Sequence, residues 1–383
     1  MTKSSYIQLE ADALRKNIAF LKRRYGKRVE ISSVVKANAY GHGIEEMIPL
    51  LENQGIEHFS VFDFSEAVRV QRSLRKPATI MIMGWISDHD IDNAIERGFE
   101  FFIFNQERLK KALSYAKILG KQAKIHLEVE TGMNRSGIDS SELTEVVSFI
   151  LENQKHLKVA GFCTHLAGAE SIGNHKRIMY QLKKYKALLK RATEMGLEPG
   201  VRHVANSAAS LVYPKSRFDM VRVGILQYGF WPSMETFIQY TSDKVNKNDP
   251  LDRILSWKSR IMTIKEVKTG EFIGYGISYL AQNNVQTALV PVGYSGGYSR
   301  TLSNKGRVLI NGHRCGVIGV VNMNMIIVDI TNVPNAKVND EVVLIGKQGD
   351  LEIKVKSFSD YSDMLNYEIL AHMPDNIERK VIL

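Results

Sequence analysis

Val34-Val35-Lys36-Ala37-Asn38-Ala39-Tyr40-Gly41-His42-Gly43 joins two textures. An apolar, β-rich run over residues 31–35 ends in a lysine, then breaks into a turn bearing asparagine, glycine and histidine. A lysine that closes a buried strand stands half in an apolar wall. That placement lowers its pKa and suits it to form a Schiff base with an aldehyde or to act as a base. The same position also serves a lysine that merely reaches water at a strand end. The choice between them depends on what the rest of the chain builds around this strand.

Outward from it, apolar runs at 31–36, 58–62, 79–83, 100–104, 124–130, 159–163, 201–205 and 220–224 alternate with helical patterns. The helical patterns cover 44–51, 64–72, 90–96, 106–119, 141–153 and 174–195, with a short turn at 207–211. Asp139-Ser140-Ser141-Glu142 reads as a helix start, with a carboxylate in the first turn. Eight strands joined by helical crossovers predict an α/β fold, a (β/α)8 TIM-type barrel over residues 13–240. An open doubly wound sheet is the alternative. The runs are nearly continuous in apolar residues, as a sheet covered on both faces requires. Chemistry in such a barrel sits where strands end, and Lys36, Glu130, His165 and Arg222 all fall there.

Past residue 240 the pattern changes. A polar stretch at 242–249 reads as a linker, followed by short runs at 261–267, 287–292, 307–310, 315–320, 326–330, 342–345 and 351–355. Turn signals such as Asn311-Gly312 and Gly349-Asp350 separate several of them. Residues 241–383 are therefore expected to form a mostly-β domain with a helix near 360–373. Residues 1–12 form an N-terminal segment expected to join that domain.

A chain of 383 residues has room for two domains, and 44% apolar with 24% charged residues is an ordinary globular balance. There is no apolar run near twenty residues and no basic-then-apolar start, so neither a membrane span nor a secretory signal is expected. Cys163 and Cys315 match no metal spacing and fit a reducing, cytoplasmic setting. The net charge of +10 resides in runs such as Lys22-Arg23-Arg24 and Lys183-Lys184-Tyr185-Lys186. On helices these are solvated faces, which argues against nucleic acid while leaving a positive field for anionic substrates or a cofactor phosphate. Neither a phosphate-binding glycine loop nor a His-Glu-x-x-His zinc helix is present.

The opening decapeptide resembles the pyridoxal-phosphate lysine motif of the alanine racemases, and further matches follow in that family's order. They include Asp63 with Glu66-Ala67, Glu130-Thr131-Gly132-Met133-Asn134-Arg135-Ser136-Gly137, and Cys163-Thr164-His165-Leu166-Ala167. His203-Val204-Ala205-Asn206-Ser207-Ala208-Ala209-Ser210, Val221-Arg222-Val223-Gly224-Ile225 and Tyr228-Gly229 come next. The second half contributes Gly274-Tyr275-Gly276-Ile277-Ser278-Tyr279, Gly293-Tyr294, the stretch 319–325 and Asn366-Tyr367-Glu368. The resemblance spans essentially the whole chain.

It implies a homodimeric racemase that interconverts L- and D-alanine by two-base proton transfer on a pyridoxal 5'-phosphate aldimine, supplying D-alanine for peptidoglycan. The β domain would complete the partner subunit's site. Removing a Cα proton from one face and returning it on the other needs two acid–base groups. By resemblance these are Lys36, which also holds the cofactor, and Tyr279 from the other subunit. A phenol ordinarily titrates near about 10, so Tyr279 needs a cation or hydrogen bonds nearby. Arg222 is expected to face the pyridine nitrogen, and His165 to pack on the ring or hold Arg222. Tyr40, Tyr367, Ser207 and the amides of Ser207, Gly224 and Ile225 match the phosphate positions, with Asn206 beside them. Arg135 and the partner's Met323 amide match the substrate-carboxylate positions.

Departures from the family pattern concern charge. Glu128 stands where many members carry a lysine, often carbamylated, and is expected to pair directly with Arg135. The frequent Gly-Tyr-Ala-Asp-Gly appears as Gly293-Tyr294-Ser295-Gly296-Gly297. The frequent Gly-Arg-Val-Ser-Met-Asp appears as Gly319-Val320-Val321-Asn322-Met323-Asn324. Glu170 replaces a common aspartate, and Arg300 is retained. These changes leave a racemase of broader or different range, for serine or lysine, as an alternative. A decarboxylase of the same architecture and a non-catalytic pyridoxal-phosphate carrier are more distant ones.

Overall fold

The computed structural model describes residues 4–362 and 366–383. They divide into two compact units. One comprises Ala13–Ala39 and Met47–Asp252, and the other comprises Met1–Asp12, Tyr40–Glu46 and Arg253–Leu383.

The first unit carries an eight-stranded parallel sheet. In chain order its strands are Glu30–Val34, His58–Val61, Thr79–Ile82, Glu100–Ile103, Ala123–Glu128, Leu157–Cys163, Val201–His203 and Met220–Val223. Each pairs with its sequence neighbour, and the last returns to the first, with Glu30 opposite Met220 and Ser33 opposite Val223. Across the one remaining seam, the Asp219 amide donates to the Arg202 carbonyl at 3.1 Å. The Arg222 amide donates to the Ala205 carbonyl at 3.0 Å. The sheet is thus a nearly closed barrel and not an open doubly wound sheet.

Phe59, Phe101 and Phe162 are fully buried with the strand aliphatics. Ser32, Ser60, His58, His126, His203 and Arg222 are buried with them, so this interior is partly polar and must satisfy its polar groups internally. Four helix starts are capped by side chains: Asp63, Asn105, Asn206 and Ser233 each accept from the amide three residues on. The helix expected from residue 141 starts late. It begins at Leu143 with no side-chain cap from Glu142, whose carboxylate accepts from the Asp139 amide at 3.3 Å.

The second unit is built on a ten-stranded sheet among the described residues. Ser5–Glu10, a strand not foreseen in the sequence, lies antiparallel to Leu255–Arg260 and parallel to the C-terminal strand Glu378–Ile382. It alternates buried Ser5, Ile7 and Leu9 with half-exposed Tyr6, Gln8 and Glu10, the period of a strand covered on one face. The helix expected at 360–373 falls partly on residues 363–365, which lie outside the described residues. Helices Val355–Ser362 and Asn366–Ala371 flank them. Among the described residues, no helix is long and apolar enough to cross a membrane, and no cluster of His, Cys, Asp and Glu could hold a metal ion.

Candidate active site

Lys36 leaves the first barrel strand into a turn of unusual hand. Ala37, Asn38, Ala39 and Tyr40 have φ of 51°, 51°, 53° and 52°. Left-handed backbone costs a residue with a Cβ about 1–2 kcal/mol, so four in succession need support. The Ala39 amide closes the turn on the Val35 carbonyl at 2.8 Å. The helix Phe64–Ser73 supplies further support. Glu66 Oε1 accepts from the Ala37 amide at 2.6 Å, and its Oε2 accepts from the Phe62 amide at 2.9 Å. Arg69 donates from Nη2 to Asn38 Oδ1 at 2.7 Å. Glu66 and Arg69 are three residues apart and share a helix face, so one helix grips the turn twice.

The glycine after Tyr40 is obligatory for a different reason. Gly41 has φ +74°, and a Cβ there would stand 2.0 Å from the Leu370 carbonyl oxygen.

Burial lowers the Lys36 pKa, and the charge on Arg135 lowers it further; Glu66 opposes the shift and Arg222 adds to it. The same cations act on His165. Burial first, then Arg222, Arg135 and Lys36, push it down to about 3, so its imidazole is neutral. The structure therefore brings Lys36, Arg135, His165 and Arg222 together at the carboxyl ends of the barrel strands.

Arg222 is buried, and its donors are almost all committed. Nη1 donates to His203 Nδ1 and to the His203 carbonyl at 3.0 Å. Nη2 donates to the carbonyls of Thr164 at 2.8 Å and Val204 at 3.4 Å. A guanidinium has five N–H donors, so only Nε–H has no partner among the described residues. His203, not His165, holds Arg222. The sequence carried a signal for this: His203 ends a strand whose neighbour across the seam bears Arg222.

Around the start of helix Ser207–Val212, Asn206 Oδ1 accepts from the Ala209 amide at 2.9 Å. Ser207 Oγ accepts from the Gly224 amide at 3.0 Å, leaving its own proton to donate. The buried Ile225 amide has no partner among the described residues.

The Arg135 loop is ordered by a carboxylate. Glu130 accepts from the amides of Gly132, Met133 at 2.8 Å and Asn134 at 2.9 Å. Glu128 does not pair directly with Arg135 as expected. Its Oε2 accepts from Ser136 Oγ at 2.9 Å, and Arg135 acts on it only through its field. The reason is local: Ser136 is the nearer donor, while Arg135 is exposed.

The remaining candidates belong to the β-rich unit. Tyr40 and Tyr367 have ring centroids 6.3 Å apart. Tyr279 packs against Val267, Ile273, Ala281, Val285 and Ile318, and its carbonyl accepts from the Ile273 amide at 2.9 Å. The exposed Met323 amide has no partner among the described residues. The two segments that depart from the family pattern meet each other. Ser295 Oγ lies 2.7 Å from the Met323 carbonyl and 2.6 Å from Asn324 Oδ1, its one proton shared between the two oxygens. A Cβ on Gly293 would stand 2.2 Å from the Asn322 carbonyl oxygen, which is how closely the backbones approach.

Comparison with known proteins places these features in one family. Residues 9–232 match the model for the alanine racemase N-terminal domain, and residues 254–381 match that for the C-terminal domain. An alanine racemase of Leptospira interrogans (serovar copenhageni) is 33% identical over 382 residues, covering 100% of this chain and 96% of the relative. One from Symbiobacterium thermophilum is 34% identical over 378 residues, covering 98% and 97%. The solved alanine racemase of Clostridium difficile 630 superposes with a TM-score of 0.90 at 30% identity, over 100% of this chain and 96% of that one.

Proposed function

Since the chain belongs to the alanine racemase family, we propose that it interconverts L- and D-alanine with Lys36 and Tyr279 as opposed acid–base groups on pyridoxal 5'-phosphate. It is an amino-acid racemase, an isomerase, and the family's role is to supply D-alanine for peptidoglycan. The observation that carries the reading is the set of donors left without acceptors at the barrel's strand ends.

That donor set fits the cofactor. Ser207 Oγ–H, the Ile225 amide and a single Arg222 N–H can serve a group with a phosphate and one ring nitrogen, while the Lys36 amine can hold an aldehyde. Tyr40 and Tyr367 are assigned to the same phosphate on the resemblance alone, as are the Gly224 amide and Asn206. When bound, pyridoxal phosphate would delocalise the electron pair left at Cα.

The protein's own groups do the rest. Lys36, with its pKa depressed by burial, has neutral amine available to take and return a proton on one face of Cα. Tyr279 of the partner subunit serves the other face. Arg222 keeps its proton, so its Nε–H would donate to the cofactor's ring nitrogen in unprotonated form and would disfavour chemistry that needs that nitrogen charged. Arg135 and the partner's Met323 amide would hold the substrate carboxylate, and neutral His165 would stand by the cofactor without adding charge.

The homodimer is supported by the apolar side chains exposed around Tyr279, namely Phe272, Tyr275, Ile277 and Leu280. Free, buried Cys163 and Cys315 support a reducing, cytoplasmic setting.

The test is a racemisation assay on single-enantiomer amino acids, run with Lys36→Ala and Tyr279→Phe. Lys36→Ala should lose the borohydride-reducible link to the cofactor along with turnover. Tyr279→Phe should slow deuterium exchange from L-alanine far more than from D-alanine. Alanine proving inert while serine or lysine racemises would move the assignment to the broader racemase.

A further inference from the structure

Behind Arg222 runs a line of buried polar side chains that the proposed reaction does not use. His203 Nε2 lies 2.8 Å from His126 Nδ1, and His126 Nε2 lies 2.7 Å from Glu100 Oε2. Both histidines are buried, and the Phe102 ring packs against the two at 6.0 and 5.9 Å between centroids. The backbone is shaped for His126. The strand register shifts between Ile125 and His126, and a Cβ on Gly161 would stand 2.3 Å from His126 Nδ1. Glu100 opens the fourth barrel strand, with its side chain 16% exposed.

Hydrogen-bond chemistry fixes the direction of every link. Arg222 has only donors, so His203 Nδ1 must be the bare nitrogen of its ring. The ring proton is then on His203 Nε2 and donates to His126 Nδ1. That leaves the His126 proton on Nε2, where it donates to Glu100. A second proton on either ring would aim an N–H at another N–H. Burial and the Arg222 charge keep His203 from taking one. For Glu100, burial opposes ionisation. The hydrogen bond donated by His126 heads the effects that oppose burial, and the carboxyl is held below its usual range. The line is thus anchored by a cation at one end and an anion at the other, with two neutral imidazoles between them.

We propose that Glu100 is a positioning residue for Arg222: by accepting from His126 it locks the tautomers of both histidines, and so the donor geometry of the arginine. The inference rests on the reading of Arg222 as the partner of the cofactor's ring nitrogen. Reversing the line would turn His203 Nδ1–H against the guanidinium and a bare His126 nitrogen against the carboxylate. Both ends forbid it. Removing the Glu100 acceptor leaves only the arginine end to hold the direction, and Nη1 loosens.

Two variants separate acceptor from charge. Glu100→Gln keeps an oxygen for His126, whereas Glu100→Leu keeps none. Nitrogen-15 spectra of the imidazoles in the full-length protein should show an unprotonated His203 Nδ1 in the wild type and in Glu100→Gln. In Glu100→Leu the signal should move toward an average of the two tautomers. In the holoenzyme, kcat should fall roughly three- to thirtyfold in Glu100→Leu with KM for alanine little changed, and much less in Glu100→Gln. The cofactor's absorbance should shift with kcat. A His203 Nδ1 signal that is the same in all three proteins overturns the proposal, whether or not the protein racemises alanine. A tautomer change that leaves both kcat and the absorbance untouched also overturns it. A wild-type protein without racemase activity would refute the assignment of function separately, because the nitrogen spectra do not depend on turnover.

Discussion

Around Lys36 the chain leaves little to chance: a left-handed turn is gripped by Glu66 and Arg69, and the neighbouring arginine has four of its five donors committed. Around Tyr279 the arrangement is the opposite. Gly274 and Gly276 both take positive φ, and the side chains between and beyond them face solvent, Tyr275 at 72% and Ile277 at 82% exposure. One of the two proposed acid–base groups is preorganised by its own chain. The other sits on an apolar loop that its own chain does not cover. Damage near Lys36 should therefore be independent of protein concentration, and damage near Tyr279 should depend on it.

The largest effect is expected at Glu66. Glu66→Ala removes hydrogen bonds from a carboxylate to the Ala37 and Phe62 amides, each worth about 1.5–3 kcal/mol, and leaves the strained turn to relax. It also removes the one anion that opposes Arg135 and Arg222 at Lys36, so the lysine pKa should fall further. Turnover should drop by roughly two orders of magnitude at every enzyme concentration. The pH at which Lys36 of the cofactor-free protein reacts with an amine-selective reagent should move down. An unchanged reaction profile would show that the turn does not govern the lysine.

Next comes the loop. Ile277→Asp places a charge on the most exposed apolar side chain beside Tyr279 and should weaken self-association by about 2 kcal/mol or more. Activity should fall about tenfold on dilution and recover when the protein is concentrated, while the melting behaviour of the barrel unit stays as in the wild type. Activity that falls equally at all concentrations would mean that the loop acts within its own chain.

This contrast also governs what could be read from the sequence. The eight barrel strands are visible because each is an apolar run between helical patterns, and the observed strands fall within a few residues of those runs. Ser5–Glu10 was hidden because its partners lie some 250 and 370 residues away, at Ser256 and Lys380, and only long-range pairing makes it a strand. The site was legible as a list of residue types at strand ends, but not as a set of partners. His203 and Glu66 stood inside recognised motifs, yet their roles depend on which atoms face Arg222 and the Ala37 amide. Glu128 shows the same limit. A carboxylate at the position of the family's carbamylated lysine suggested a pair with Arg135, whereas the backbone put Ser136 within reach and turned Arg135 outward.

That correction sets up the smallest effect, in which stability and function should move apart. Burial raises the Glu128 pKa, against the hydrogen bond from Ser136 and the fields of Arg222 and Arg135, with Glu130 reinforcing the rise. A carboxyl whose folded pKa lies above its unfolded value stabilises the fold below the unfolded pKa. That contribution is lost as pH rises through the folded value. Above its raised folded pKa the ionised, buried Glu128 is therefore a cost to the fold. Glu128→Gln removes the charge while keeping an oxygen for Ser136, so it should raise stability at neutral pH by on the order of 1 kcal/mol, a few degrees in Tm. It also removes the anion whose field steadies Arg135, so KM for alanine should rise about three- to tenfold with kcat nearly unchanged, the signature of lost uniform binding. If the variant leaves KM unaltered, Glu128 is a buried carboxylate with no part in substrate binding. If it instead lowers Tm, the Ser136 hydrogen bond outweighs the burial of the charge.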